Sequence, residues 1–148
     1  MQAASNGHGG VVRRLLAAGA KVDARDTSGQ TALILASKVG SDAAVGCLLG
    51  AGADPDVQDW RDGRTALSRA AEKGHEGTVE ILLNGNAAVD LVDKCHRTPM
   101  AWAAMKGHTS VVKLYLRWNA STTTEDDDYD RTPFMWAIKR AMRMLLRF

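Results

Sequence analysis

The chain has 148 residues, 45% of them apolar and 24% charged, with a formal net charge of +2. That balance predicts one soluble globular unit with a sizeable core, and it excludes a wholly disordered chain or a surface built for wholesale attraction to polyanions. No apolar run of about 18 residues predicts a membrane span. The opening MQAASNGHGG lacks the basic and apolar parts of a signal peptide, and Cys47 and Cys95 fit free thiols, so the cytoplasm or nucleus is the expected address.

In chain order, Gly7-His8 precedes a segment in which Val11-Val12 and Leu15-Leu16 repeat at the i, i+3, i+4 spacing of one buried helix face. Gly19 is placed to stop that helix, and the polar stretch AGAKVDARDTSGQ follows, with Asp26 and Gly29 as turn residues. Thr31 then stands before the alanine-rich run ALILAS as an N-cap. Gly40 ends this helix, and a second one carries Leu48-Leu49. The pattern recurs with Gly52, Asp59, Gly63, Thr65, Gly74-His75 and Leu82-Leu83. It recurs again with Asn86, Asp93, His96, Thr98-Pro99, Gly107-His108 and Tyr115-Leu116, and a last time with Asn119, Asp126 and Thr132-Pro133-Phe134. Asparagine is the next-best residue after glycine for a left-handed helix stop, and proline after the threonine needs no amide donor in the first turn.

The four threonines step by 34, 33 and 34 residues, and the glycine, leucine-pair and aspartate columns keep the same register. Each unit therefore predicts two antiparallel helices and a protruding turn. Turns two and four each carry one extra residue, since Leu49 to Thr65 and Leu116 to Thr132 span 16 positions where the other two span 15. The 33-residue period, TPMAWAA and Gly-His together resemble the ankyrin repeat, and the resemblance covers essentially the whole chain. It implies an all-α solenoid of stacked helix-turn-helix units with β-turn fingers. The histidine that the family carries after Thr-Pro-Leu is Ile34, Ser68, Ala101 and Met135 here, so the hydrogen bond it supplies to the turns is expected to be missing.

The expected division is an incomplete first repeat at 1–18, full repeats at 19–51, 52–85 and 86–118, and a truncated last repeat at 119–148. Ala3 falls in register with Ala36, which puts Met1 inside a first helix. At the other end Ala141 replaces the helix-stopping glycine, so one continuous helix is predicted from Thr132 to Phe148. Its stripe of Phe134, Ile138, Ala141, Leu145 and Phe148 is expected to lie on the preceding repeat as a cap, with Lys139, Arg140, Arg143 and Arg147 in water.

No catalytic grouping is expected. His8, His75 and His108 occupy one slot in successive repeats and do not converge, and neither cysteine has a neighbour at zinc-ligand spacing. In EDDDYD the alternating Asp126, Asp128 and Asp130 resemble a calcium loop, but Arg131 and Ala137 stand where its glycine and glutamate belong. No metal and no cofactor is expected. Trp102 and Trp136 share a column with Leu35 and Arg69 and read as packing residues. Trp60 at a turn and Trp118 at a helix end stand at otherwise small or polar positions, as interface anchors do.

The resemblance implies contacts from residues after the finger aspartate and just before Gly-His: Trp60, Arg61, Arg64, Glu72, Lys73, Lys94, Arg97, Met105 and Lys106, to which Trp118 is added. The expected function is a non-catalytic, monomeric protein-binding module whose concave face meets an acidic or mixed protein surface. Two alternatives stand beside it: the targeting or regulatory part of a larger enzyme or adaptor, and nucleic-acid binding through the basic face.

Overall fold

A computed structural model describes the backbone of residues 1–145 and the side chains through residue 141. Each repeated threonine starts a helix by accepting a bond from the backbone three residues on: Thr31 Oγ1 from Ile34 N, Thr65 from Ser68, Thr98 from Ala101 and Thr132 from Met135, all at 3.2–3.3 Å. The helices so begun are α3 (Ala32–Val39), α5 (Ala66–Lys73), α7 (Pro99–Lys106) and α9 (Pro133–Leu145). With α1 (Gln2–Ser5) they form a first row. Gly40, Gly74 and Gly107 close α3, α5 and α7 in the left-handed region, and the chain turns back into α4 (Asp42–Gly50), α6 (Glu76–Asn84) and α8 (Thr109–Arg117). With α2 (Gly9–Ala17) these make a second row behind the first. The architecture is an all-α solenoid, and no strand occurs among the described residues.

The stops of the second-row helices are also as the sequence predicts. Asn86 and Asn119 adopt φ of +62° and +52° where Gly19 and Gly52 stand in the earlier copies. The fingers that follow align side by side: Trp60 N–H donates to Ser28 O, Lys94 N–H to Asp62 O and Asp127 N–H to Cys95 O, at 3.0–3.1 Å. The extra residue in turns two and four is absorbed at the tip. The loop closes from Asp59 N to Arg64 O and from Asp126 N to Arg131 O, one residue wider than Asp26 to Gln30 and Asp93 to Arg97.

Burial follows position within a hairpin. On the second row, Val45 and Leu48, and then Val79, Leu82 and Leu83, fill the space between units. The outer members lose cover at the ends of the stack, where Val11 and Leu15 are exposed on α2 and Leu116 on α8. The first row shows the same edge effect. Leu33, Leu67 and Met100 are 1%, 0% and 4% exposed, whereas Phe134, in the same column, is 66% exposed. Ala36, Ala70 and Ala103 are buried and Ala137 is exposed. Ser37, Ala71 and Ala104 are buried and Ile138 is 45% exposed.

This corrects the expected cap. Helix α9 does run unbroken and does pack on α7, but through Pro133 and Trp136. Phe134, Ile138 and Ala141 face water; in every earlier hairpin that face is covered by the hairpin's own second helix, and among the described residues none follows α9. The expected positions of Arg143, Leu145, Arg147 and Phe148 lie outside the described side chains.

Candidate interaction face

Three aspartates, one per finger, tie the fingers to the first row. Asp59 Oδ2 accepts from Arg69 Nη2 at 2.7 Å, Asp93 Oδ2 from Trp102 Nε1 at 2.8 Å, and Asp126 Oδ2 from Trp136 Nε1 at 2.5 Å. The other carboxylate oxygen of each accepts backbone N–H groups of its own finger, such as Cys95 and Arg97 on Asp93. Where the family's histidine is missing, the next residue along the helix supplies a bond to the turn, as a guanidinium once and an indole twice. The first finger has Leu35 in that column; its Asp26 side chain accepts from Ser28 and Gln30 N–H.

Burial pushes the Asp59 carboxyl up, but the Arg69 bond and its own turn's N–H groups outweigh this and hold its pKa below the ordinary carboxylate value. Arg69 shows the reverse balance. Burial pulls its pKa down, and the bonds to Asp59 and Asp62 more than restore it.

A second network crosses the fingers around Trp102. The Arg64 guanidinium lies 3.5 Å from the indole centroid and Arg97 lies 5.0 Å from it. Arg64 also bonds Glu72 Oε2 at 3.0 Å and sits 3.5 Å from Asp93, while Arg97 pairs with Asp128 on the next finger. Burial lowers the Arg64 pKa, and the neighbouring Arg69 adds to the effect against Glu72, Asp62 and Asp93. Of the ten residues the sequence nominates, Arg64, Glu72 and Arg97 are therefore half-buried members of this scaffold, and Lys106 stands at its edge, 4.0 Å from Glu72. Arg61, Lys73 and Lys94 are exposed, and Met105 is half-buried.

Trp60 is 59% exposed, and its ring rests on the preceding finger at Gly29, where an added Cβ would come within 2.5 Å of it. Lys94 Nζ donates to Trp60 O at 2.5 Å, and a cavity of 410 Å³ opens between these fingers, lined by Gln58, Trp60, Val92 and Lys94. Trp118 is exposed too, but it is the C-cap of α8 in the second row and does not join this group. Tyr129, exposed on the fourth finger and edge-on to Trp136 at 5.6 Å, was not singled out by sequence. Its aromatic character beside the acidic run was the available signal.

The histidines act as staples. His108 Nε2–H donates to Glu72 O at 2.9 Å and His75 Nε2–H to Lys38 O at 3.3 Å, each ring lying against the glycine that ends the preceding hairpin's first helix. Gly40 and Gly74 need both their positive φ and their missing Cβ there, since a methyl would meet the ring within 2.6 Å. At the last junction the Arg140 side chain takes the histidine's place, over Gly107 and reaching Met105 O. Among the described residues, no three metal-ligating side chains converge.

Comparison with known families matches the description "Ankyrin repeats (3 copies)" over residues 1–93 and 77–147. The chain belongs to the ankyrin repeat family. Ankyrin repeats are in general protein–protein interaction modules. Similar ankyrin-containing proteins include "Ankyrin repeat and KH domain-containing protein mask-1" of Caenorhabditis elegans, 45% identical over 87 residues, which are 57% of this chain and 3% of that protein. "Inactive serine/threonine-protein kinase TEX14" of Bos taurus is 36% identical over 60% of this chain and 6% of its own length. "E3 ubiquitin-protein ligase XBAT33" of Arabidopsis thaliana is 40% identical over 55% and 16%. The chain thus spans a small fraction of the relatives it matches. No helix among the described residues is long and apolar enough to cross a membrane.

Proposed function

We propose that this ankyrin array binds a partner protein, as a monomer and without catalysis, through the face formed by its finger tips and first-row helices. The observation that carries the reading is Trp60. A large aromatic exposed on a tip, seated on Gly29 and fixed by the finger ladder, has little freedom left to lose on binding, which is what an anchor requires. Arg61 and Lys94 flank it, Lys73 and Lys106 extend the cationic surface, and Arg64, Glu72, Arg97 and Met105 form the floor between them. An acidic or mixed protein surface complements that arrangement. Trp118 is a second, separate anchor on the other row.

The small share of each relative that the chain covers supports a further reading, in which such an array recruits partners for a larger enzyme or adaptor. Nucleic-acid binding has weaker support, because Arg64 and Arg97 spend their charge on Glu72, Asp93 and Asp128. The test is to capture partners with the intact array and measure the affinity of Trp60→Ala and Trp118→Ala for the protein recovered. Trp60→Ala should weaken the complex by about 2 kcal/mol or more with an unchanged circular dichroism spectrum. Unchanged affinity in both variants would place the interface elsewhere.

A further inference from the structure

The 410 Å³ cleft between the second and third fingers lies inside the array. One wall carries Trp60, whose N–H is held by Ser28 O of the first finger, and the other carries Lys94, whose neighbour Cys95 accepts from Asp127 N–H of the fourth. The fingers that border the cleft, and those beyond them on both sides, are therefore all in place. Its volume is that of an ordinary ligand pocket, about 300–1,000 Å³. The polar groups that line it are already satisfied. Gln58 Nε2 donates to Gly63 O at 2.7 Å and to Val92 O at 2.8 Å, Asp59 accepts from Arg69, and Asp93 accepts from Trp102. An apolar group entering between Trp60 and Val92 strands no donor or acceptor there, and it gains burial.

What remains unanswered is charge. Lys94 Nζ gives one of its three protons to a neutral carbonyl, Trp60 O, and Arg25, 6.0 Å from the Trp60 ring, donates to the neutral Gly29 O and Gln58 O. With Arg61 beside Trp60, these make three cations on three successive fingers, and none of them forms an ion pair among the described residues. The fourth finger reverses the sign: Asp127 and Asp130 are exposed on it, and its Asp128 is held by Arg97. At about 8–10 Å per packed unit, three fingers span roughly 20 Å, the reach of about six residues of extended chain and not of a small molecule. We infer that the cleft takes one apolar side chain of an extended acidic segment of a partner protein, whose carboxylates meet Lys94, Arg61 and Arg25. The inference rests on the partner-binding reading above and names the socket and the segment that fills it. An apolar socket and an acidic boundary at the fourth finger fit a peptide better than a nucleic-acid strand, whose charge runs on unbroken.

An octapeptide, acetyl-Glu-Asp-Glu-Leu-Glu-Asp-Glu-Gly-amide, titrated into the isotope-labelled full chain, should saturably shift the Trp60 indole and the Val92 and Lys94 amide signals in NMR spectra. Replacing the peptide's leucine by serine, or its acids by lysine, should weaken binding by about tenfold or more, and so should Lys94→Glu, at an exposed position compatible with folding. Lys113→Glu, on the second row, should leave it unchanged. No saturable shift at millimolar peptide, or equal binding of the serine peptide or by Lys94→Glu, would overturn the proposal, as would a stronger response of the same signals to an oligodeoxythymidine of equal length. The captured partner separates this inference from the reading beneath it. If Trp60→Ala weakens that complex and Lys94→Glu does not, the face stands and the cleft is refuted; if both leave it unchanged, the face itself is refuted.

Discussion

Asp93 is the residue whose removal should be felt most for its size. Its side chain is almost fully buried and accepts three hydrogen bonds, from Cys95 N at 2.9 Å, Arg97 N at 3.0 Å and Trp102 Nε1 at 2.8 Å, while Arg64 Nε stands at 3.5 Å. In Asp93→Ala the buried indole N–H loses its acceptor, at a cost of about 1–3 kcal/mol, and the two backbone donors of the finger cost about 1 kcal/mol each. Arg64, stacked on Trp102, also loses a counter-charge in a half-buried setting, which is destabilising in its own right. The expected loss is about 3–5 kcal/mol. Asp93→Asn keeps an acceptor for the two backbone groups but offers the indole no carboxylate, so about half that loss is expected. Urea denaturation of the full chain followed by far-ultraviolet circular dichroism measures both, with Asp127→Ala, an exposed neighbour, as the control. A loss below about 1 kcal/mol for Asp93→Ala would show that the finger-to-helix bonds do not hold the fingers in place.

Leu82 is fully buried between α6 and its neighbours, and Leu82→Ala should cost about 2–5 kcal/mol in the same denaturation assay. Tyr115 occupies the leucine column but buries a hydroxyl that makes no hydrogen bond among the described residues, so Tyr115→Phe should be neutral or stabilising by up to about 1 kcal/mol. Burial first, and the charge of Asp90 second, raise the Tyr115 pKa well above its ordinary value. Its contribution is therefore fully present below about pH 10, the unfolded value, and is lost as pH rises through the raised folded value. Tyr115→Phe should accordingly lose less stability on alkaline titration, and equal alkaline sensitivity of the two proteins would count against the burial argument.

The hairpins were legible in the sequence because each local instruction is chemical and repeated. A threonine hydroxyl caps, a glycine or asparagine takes positive φ, and an aspartate folds a turn, wherever the next repeat happens to be. Phe134 shows where such reading stops. Its column is apolar in all four copies, but burial depends on a second helix that, among the described residues, follows only the first three, and column identity carries no information about the neighbour. The aspartate-to-helix bonds were hidden for another reason. Arg69, Trp102 and Trp136 share no chemistry except an N–H pointing at a carboxylate, so from sequence the column reads as packing between repeats. A further column, Asp23, Asp56 and Asp90, accepts from Asp54, Ala88 and Ser121 N–H of the next unit; its spacing of 33 and 34 residues was there to be seen. In the candidate face, basic character nominated Arg64 and Arg97, while the pairing that half-buries them depends on Glu72 and Asp128, one of them on another finger.

Among the described residues, the hydrogen bonds that join one hairpin to another all bridge 31–37 positions of sequence, whether the donor is a backbone amide or a side chain such as Gln58, Thr78, His108 or Arg140. The loop that must close to form any of them is therefore of one length throughout the chain, so no single long-range closure sets the folding barrier. Order can begin in whichever adjacent pair of hairpins meets first and spread outward one unit at a time. The interior hairpins, gripped from both sides, are the last to open, and amide exchange should slow from each end of the array toward α5 and α6.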